Sequence, residues 1–232
     1  MPSLEENIAR VAAYYAARAP EYHETTGYGL ERVDTGYARL KVFYQSAFAG
    51  RDVLEIACGT GYWTEAIAAT AHRVVATDIH PELVEATQKR LEPYSHARSQ
   101  VADAYTLATV TESFSGAFAQ YWWSHIPRKM RKPFLDVLHS KLRPGARVIF
   151  ADNAEYQASW VQRRVDEHGD IYEERSLRDG SRFETIKNFV SEAEFRELLT
   201  DVAEDIAYVE HDTGNGAHEP SHLWTLSYRL KE

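Results

Sequence analysis

The sequence predicts an α/β fold in which a mostly parallel sheet is covered by helices on both faces. From residue 51 onward, short apolar segments alternate with helical segments along the chain. These apolar segments are nearly continuous, which is typical of strands buried on both faces. In addition, a glycine-rich turn joins the first strand directly to a helix, as in strand–helix units of parallel sheets.

Length and composition restrict the class of protein. The chain has 232 residues, 44% of them hydrophobic, and a formal net charge of −9. One domain is expected at this length. The acidic balance and the lack of basic runs argue against a nucleic-acid partner. Because the chain has neither a membrane-length apolar run nor a signal-like start, we expect a cytoplasmic protein with no membrane partner. The single cysteine, Cys58, excludes an internal disulfide.

Two amphipathic helices open the chain. Apolar residues recur at helical spacing from residue 4 to 15 and from 33 to 47. Pro20 ends the first helix, and Gly50 lies just past the end of the second. A loop rich in glycine and tyrosine is expected between them.

Five strand segments then alternate with helices. Pro81 begins one of these helices, and another is expected near 127–142, before a turn at 143–145. The predicted strands are 53–57, 73–77, 97–102, 116–122 and 147–151.

The rest of the chain departs from this alternation. Residues 154–187 are densely charged, and Asp179-Gly180 between two strand-like segments predicts a hairpin. Ser191 caps a helix that reaches about residue 199. Two last strands are expected near 202–210 and 222–229. The loop between them contains His211, His218 and His222, whose irregular spacing favours a surface loop over a metal site.

The most informative segment is VLEIACGTGYWTEAI, residues 53–67. Gly59 and Gly61 allow a tight turn and a close ligand, and the helix that follows presents free N–H donors. A dinucleotide fingerprint would need a third glycine where this chain has Thr64. Together with Glu55, this disfavours a nicotinamide-dependent dehydrogenase.

Acidic residues close the next two strands. Asp78 ends the second strand, where a carboxylate can accept hydrogen bonds from a ribose diol. Asp103-Ala104 ends the third, where an acceptor can meet an adenine amino group. The alternatives for the glycine turn alone are a simple packing turn or a site for another nucleotide.

In these residues the chain resembles the class I S-adenosylmethionine-dependent methyltransferases, most of all over 51–152. The stretch Trp122-Trp123-Ser124-His125 resembles a bacterial subgroup that acts on small molecules. The resemblance implies a Rossmann-like seven-stranded sheet of order 3-2-1-4-5-7-6 with the last strand antiparallel. It implies one domain, 1–232, divided into a helical lid (1–50), a cofactor-binding core (51–152), a hairpin insertion (153–190) and closing helix and strands (191–232).

The resemblance also implies S-adenosyl-L-methionine as cofactor and S-adenosyl-L-homocysteine as product. Gly59 and Gly61 would admit the methionine portion, with Glu55 supporting the loop or contacting that portion. Asp78 would hold the ribose. Arg18 in the lid either pairs with the cofactor carboxylate or is a solvated helix-end cation. The implied cofactor-binding residues are Tyr15, Tyr22, Glu55, Ala57, Gly59, Gly61, Asp78, Ile79, Asp103, Ala104 and Gln120.

The segment after the fourth strand supplies candidates for chemistry. His125 is the candidate general base, since an acidic or protonated acceptor must lose a proton; the alternative is a helix cap. Trp122 and Trp123 either shape the acceptor pocket or belong to the core. Asn153 and Lys187 are further candidates to face the acceptor.

The predicted function is methyl transfer to O, N or S of a small aromatic or heteroaromatic metabolite. The alternatives are a non-methylating use of the same cofactor, such as intramolecular cyclisation, and a non-catalytic binding protein. We expect a small-molecule acceptor, no metal, and a monomer or homodimer.

Overall fold

The computed structural model describes residues 4–155, 162–212 and 222–232. Its strands, in chain order, are β1 (Asp52–Ile56), β2 (Arg73–Asp78), β3 (Ala97–Val101), β4 (Phe114–Gln120), β5 (Leu142–Asn153), β6 (Arg163–Val165), β7 (Ile171–Ser176), β8 (Arg182–Ile186), β9 (Ala203–Asp212) and β10 (His222–Leu230). Its α-helices are α1 (Leu4–Arg18), α2 (Tyr22–Thr26), α3 (Glu31–Phe48), α4 (Tyr62–Ala68), α5 (Pro81–Arg90), α6 (Arg131–Ser140) and α7 (Glu192–Leu199).

The main sheet has the order β3-β2-β1-β4-β5-β10-β9. Strands β1 to β5 pair in parallel, whereas β10 is antiparallel to both β5 and β9. Since β9 and β10 are the sixth and seventh strands of this sheet in chain order, the predicted order 3-2-1-4-5-7-6 and its antiparallel last strand are confirmed.

The sheet separates two hydrophobic cores. Side chains of successive strand residues point to opposite faces, so Val53 and Leu54 of β1 enter different clusters. Helices α6 and α7 cover the Leu54 face, and α3 and α4 cover the Val53 face. Strands β1, β2 and β4 are covered on both sides, so their apolar pattern is nearly continuous, as the sequence indicated. The edge strand β3 is polar and partly exposed.

A second, three-stranded sheet of order β6-β7-β8 contains the predicted hairpin. Asp179-Gly180 forms its turn, with Gly180 at φ 85°. Helix α1 packs against β8: the ring of Tyr14 meets that of Phe183 edge-on at 5.7 Å. The insertion thus supports the N-terminal helix, and its third strand, β6, was not predicted.

Three predicted boundaries were wrong. The helix expected from 127 begins at Arg131, because residues 123–125 and 128–130 form 3-10 turns instead. Strand β5 begins at Leu142, because Phe114 pairs with Leu142 and the strand continues through the expected turn. The loop between the first two helices contains the short helix α2. None of the helices in the described ranges is long and apolar enough to cross a membrane.

Candidate functional site

The glycine turn connects β1 to α4 in left-handed backbone conformations. Gly59 and Gly61 have φ values of 57° and 79°. A Cβ atom on Gly61 would lie 3.0 Å from the side chain of Thr87, so this glycine lets α4 approach α5. A Cβ on Gly59 would meet only Tyr22, at 3.9 Å. Gly59 therefore borders open space, whereas Gly61, predicted to contact a ligand, is a packing position.

Asp78 is joined to the glycine turn by a hydrogen bond. Its Oδ2 accepts the backbone N–H of Gly59 at 3.0 Å, and its Oδ1 accepts the backbone N–H of His80 at 3.0 Å. The imidazole Nδ1 of His80 lies 2.9 Å from the same Oδ1. A carboxylate has about four acceptor positions, so one remains open on Oδ2.

The third acidic position lies at the end of β3. The Oδ1 of Asp103 accepts the backbone N–H of Tyr105 at 2.8 Å, which fixes the loop that carries Ala104. Both residues of the predicted Asp103-Ala104 pair line the same cavity as Asp78.

Two adjoining cavities lie at the carboxyl edge of the parallel strands. The larger holds about 820 Å³, counting its open mouth, and the smaller about 290 Å³. Helix α1 forms one wall of the larger cavity through Ile8, Val11, Ala12 and Tyr15. The residues shared by both cavities are Tyr22, Ala57, Gly59, Gln120 and Tyr121. One elongated ligand could therefore occupy both.

Three buried polar atoms at the smaller cavity have no hydrogen-bond partner within the described residues. They are Oε2 of Glu55, Oγ1 of Thr60 and Nε2 of Gln120. Burial raises the pKa of Glu55 to about 8. The other end of Gln120 is fixed, because its Oε1 accepts the hydroxyl of Tyr44 at 2.9 Å. Glu55 can thus accept a hydrogen bond from a ligand, and Gln120 can donate one to it. A ligand with both a donor and an acceptor would satisfy these atoms, and an unpaired buried polar group is costly.

His125 lies at the other end of the larger cavity and is hydrogen-bonded on both ring nitrogens. Its Nδ1 lies 2.7 Å from the carbonyl oxygen of Ile186, and its Nε2 lies 2.8 Å from the hydroxyl of Tyr15. A carbonyl only accepts, so we assign the proton to Nδ1. Burial and the nearby Lys187 lower the pKa of His125 to about 3. Neutral Nε2 therefore accepts from Tyr15, whose own pKa is raised by burial.

A buried ion pair supports the turn that carries His125. The Nζ of Lys187 donates to Ser124 Oγ at 2.9 Å and to Asp152 Oδ1 at 3.1 Å. The other carboxylate oxygen of Asp152 accepts the backbone N–H of Ser124. Although burial raises the pKa of Asp152, Lys187 holds it below its usual range. Lys187 was a candidate to face the acceptor, but its ammonium group is engaged in this pair.

Besides Lys187, two further residues predicted to contact the acceptor do not line either cavity. Trp123 is 1% exposed and packs among Phe134, Phe150 and Phe195 in the core. Asn153 is buried at the end of β5, where it pairs with Leu223. The 3-10 turn at 123–125 explains the difference, because it turns Trp123 into the core while Trp122 and His125 line the cavity.

Among the polar residues of the cavity walls, sequence reasoning missed His80 and Tyr105. Each follows a predicted site residue by one or two positions, so their position next to strand ends was the available signal. Tyr121, expected at the acceptor end together with Trp122, also lines the larger cavity. It has φ 58°, and its hydroxyl lies 2.8 Å from that of Tyr37.

Neither a metal-binding cluster nor a reactive thiol is found in the described parts of the chain. No group of three or more His, Cys, Asp or Glu side chains there could hold a metal ion. His218, from the loop considered above, lies outside the described residues. Burial raises the pKa of the Cys58 thiol well above its usual value, so it is not a thiolate.

Comparisons with known proteins relate the chain to methyltransferases. The methyltransferase domain family matches residues 53–145. The demethylmenaquinone methyltransferase of Clavibacter sepedonicus is 30% identical over 120 residues. That match covers 51% of this chain and 47% of the relative, so it spans about half the length of that protein.

Two solved complexes of DhpI, one with SAH and one with SAM and HEP, are each 25% identical to this chain. The SAH complex has a TM-score of 0.71 and covers 99% of both chains; the other has 0.70 and covers 98% and 99%. The 1,6-didemethyltoxoflavin-N1-methyltransferase of Burkholderia thailandensis shares the fold. It is 16% identical, with a TM-score of 0.67 over 100% of this chain and 92% of that one.

Proposed function

We propose that the chain transfers a methyl group from S-adenosyl-L-methionine to a small molecule, because residues 53–145 match the methyltransferase domain family and about half of the chain is similar to a demethylmenaquinone methyltransferase. The observation that carries the proposal is the pair of unpartnered atoms on Glu55 and Gln120 beside the glycine turn. An α-amino acid carries both the donor and the acceptor that these atoms lack.

The methionine end of the cofactor fits the smaller cavity. The Oε2 of Glu55 would accept its ammonium group, and Nε2 of Gln120 would donate to its carboxylate. An ammonium ion here would favour the ionised form of Glu55, whose pKa burial raises to about 8 in the free protein.

The adenosine end fits the larger cavity. Asp78 offers its open acceptor position to the ribose diol, and Asp103 with Ala104 borders the adenine. Ile79 is 44% exposed at this wall and would cover the base. When bound, the cofactor supplies an electrophilic methyl group, so the protein must orient an acceptor and exclude water.

The acceptor would lie between α1 and Trp122. Tyr15 presents its hydroxyl oxygen there, and His125 holds that hydroxyl through Nε2. A proton lost by the acceptor would pass to the hydroxyl oxygen of Tyr15, while the Tyr15 proton would pass to Nε2 of His125. Tyr15 is thus the group in contact with the acceptor, and His125 acts through it rather than as the free base that the sequence suggested.

A flat, aromatic or heteroaromatic acceptor suits this end of the cavity. The walls contain Tyr105 and Trp122, whose ring centroids are 5.7 Å apart, and Tyr121. Offset or edge-on contact with such rings favours another ring. The methylated atom, O, N or S, is the one whose proton Tyr15 would receive.

Isothermal titration with S-adenosyl-L-homocysteine tests the cofactor site. We expect binding by the wild type, loss of affinity in Asp78→Asn, and wild-type affinity in Asp136→Asn, an exposed carboxylate paired with Lys132. A metabolite screen with methyl-labelled cofactor then tests the reaction, which must release one S-adenosyl-L-homocysteine per methylated product. Failure of the wild type to bind would overturn the proposal, and a product without transferred label would favour a non-methylating reaction.

A further inference from the structure

His80 lies between the carboxylate proposed to hold the ribose and the helix that covers the cavity. Its Nδ1 is 2.9 Å from Asp78 Oδ1, and its Nε2 is 2.8 Å from the carbonyl oxygen of Ala12 in α1. The side chain is 12% exposed. Neither the motif at the glycine turn nor the acidic strand ends required a histidine at this position.

Both partners of the His80 ring can only accept hydrogen bonds. A carboxylate and a carbonyl each offer lone pairs, whereas neutral imidazole has one N–H. Only the imidazolium donates to both. We propose that protonated His80 is a positioning residue that fastens α1 over the cofactor cavity by joining Ala12 to Asp78, and that this fastening weakens as the pH rises.

The charges that face His80 support its protonated form. Asp78 contributes a negative charge from the end of β2, and Glu82 contributes one from the first turn of α5. Helix α1 contributes the Ala12 carbonyl. The hydrogen bond to Asp78 raises the pKa of His80 above its ordinary value of 6.5, against the effect of burial. The imidazolium is therefore complete below pH 6.5 and is lost as the pH rises through the raised pKa.

Two other polar contacts of α1 do not change near neutral pH. Tyr15 meets His125, whose pKa is lowered to about 3, and the Tyr15 pKa lies well above its usual value. Asn7 donates to Tyr172, whose pKa is raised to about 12. Of the contacts that His80, Tyr15 and Asn7 make, the contact of His80 is therefore the one that changes its protonation between pH 6 and 9.

Hydrogen exchange of the ligand-free protein tests the fastening directly. We expect the amides of α1 to exchange faster as the pH rises from 6 to 9, after correction for intrinsic exchange, in the wild type. His80→Gln removes the second donor and should make this exchange fast and pH-independent. The matched control is His96→Gln, since His96 is exposed and its Nε2 lies 2.9 Å from the carbonyl oxygen of Ala68, which belongs to α4 rather than to α1.

The effect on the cofactor rests on the proposed function and is measured as a ratio. Affinity for S-adenosyl-L-homocysteine should be about tenfold weaker in His80→Gln than in the wild type at pH 6, the loss of about one charge-assisted hydrogen bond. The ratio of the wild-type affinity to the His80→Gln affinity should approach one at pH 9. Ionisation of Glu55 affects both proteins alike and cancels.

The two proposals fail in distinguishable ways. If the wild type does not bind at pH 6, the proposed function is wrong, and the exchange of α1 still tests His80. If the wild type binds but the ratio does not change with pH, or α1 exchange is the same at pH 6 and 9, the role of His80 is overturned. An ¹⁵N spectrum showing a neutral His80 ring at pH 6 would overturn it as well.

Discussion

The glycine turn and helix α1 border the same cavity, yet they are held in different ways. Backbone hydrogen bonds fix the turn: Cys58 N donates to Thr77 O at 2.9 Å, and Gly61 N to Cys58 O at 3.0 Å. Helix α1 is held by side chains from distant segments. His80 meets Ala12, 68 positions away, and His125 meets Tyr15, 110 positions away.

This difference separates a rigid part of the site from an adjustable one. Moving the turn would disrupt the pairing of β1 and β2, whereas α1 can leave the cavity by breaking a few side-chain contacts. A cofactor enclosed between them could therefore enter without any change in the sheet. Substitutions in and around the cavity distinguish the rigid part from the adjustable one.

Removal of the Tyr15 hydroxyl should have the largest effect, and it should fall on catalysis. Tyr15→Phe keeps the ring but leaves His125 without its donor. We expect kcat to fall about 10²-fold or more, as for loss of an acid–base group, with cofactor affinity within about threefold of wild type. Tyr14→Phe, on the same helix, is the control and should keep normal turnover. Equal losses in both variants would mean that α1 contributes only packing.

Gly61→Ala should damage the fold through the turn. The left-handed conformation and the contact with Thr87 should together lower the free energy of unfolding by about 3 kcal/mol. Gly50→Ala, with φ 69° and no atom within 4 Å of its Cβ, carries only the conformational penalty, about 1 kcal/mol. Chemical denaturation measures both. Similar losses of stability in the two variants would show that α4 and α5 move apart to accommodate the added methyl group. The glycine turn would then not be rigid.

Glu55→Gln should change how stability depends on pH. Burial raises the pKa of Glu55 from its ordinary value of 4.5 to about 8, so the folded protein holds this proton more tightly than the unfolded chain does. The wild type should therefore lose stability relative to Glu55→Gln as the pH rises from 4.5 to 8, by several kcal/mol at about 1.4 kcal/mol per pKa unit. Glu92→Gln, at an exposed position, is the control. Parallel stability profiles for wild type and Glu55→Gln would contradict the burial of this carboxyl.

Arg10→Ala should have the smallest effect. Arg10 pairs with Glu184 across α1 and β8 at 3.0 Å, but the two side chains are 47% and 33% exposed. Exposed pairs of this kind contribute less than about 1 kcal/mol. Thermal unfolding and α1 hydrogen exchange should change little. A large increase in the hydrogen exchange of α1 would show that the Arg10–Glu184 pair, rather than His80, is the main attachment of this helix.

The features that could be predicted from the sequence depend on neighbouring residues. The left-handed turn at Gly59, the apolar strands and the Asp179-Gly180 hairpin all follow from local conformational preference and periodicity. The sheet order followed from resemblance to a family and is confirmed by the pairing. Asp78 and Asp103 were placed at one edge because parallel strands end together.

The features that could not be predicted depend on tertiary packing. Nothing local distinguishes Trp122 from Trp123; the 3-10 turn decides which indole enters the core. His125 was considered as a free base because the sequence does not show that Tyr15 occupies its Nε2. For the same reason His80 drew no attention, since its partner Ala12 contributes only a backbone carbonyl.

The adjacent tryptophans also give the protein two separate optical reporters. Trp122 is partly exposed in the larger cavity, and Trp123 is enclosed by phenylalanine rings. A ligand that stacks near Trp122 would quench or shift its emission, whereas Trp123 would change only when the core opens. Comparing Trp122→Phe with wild type would therefore assign a fluorescence signal to ligand binding without a label.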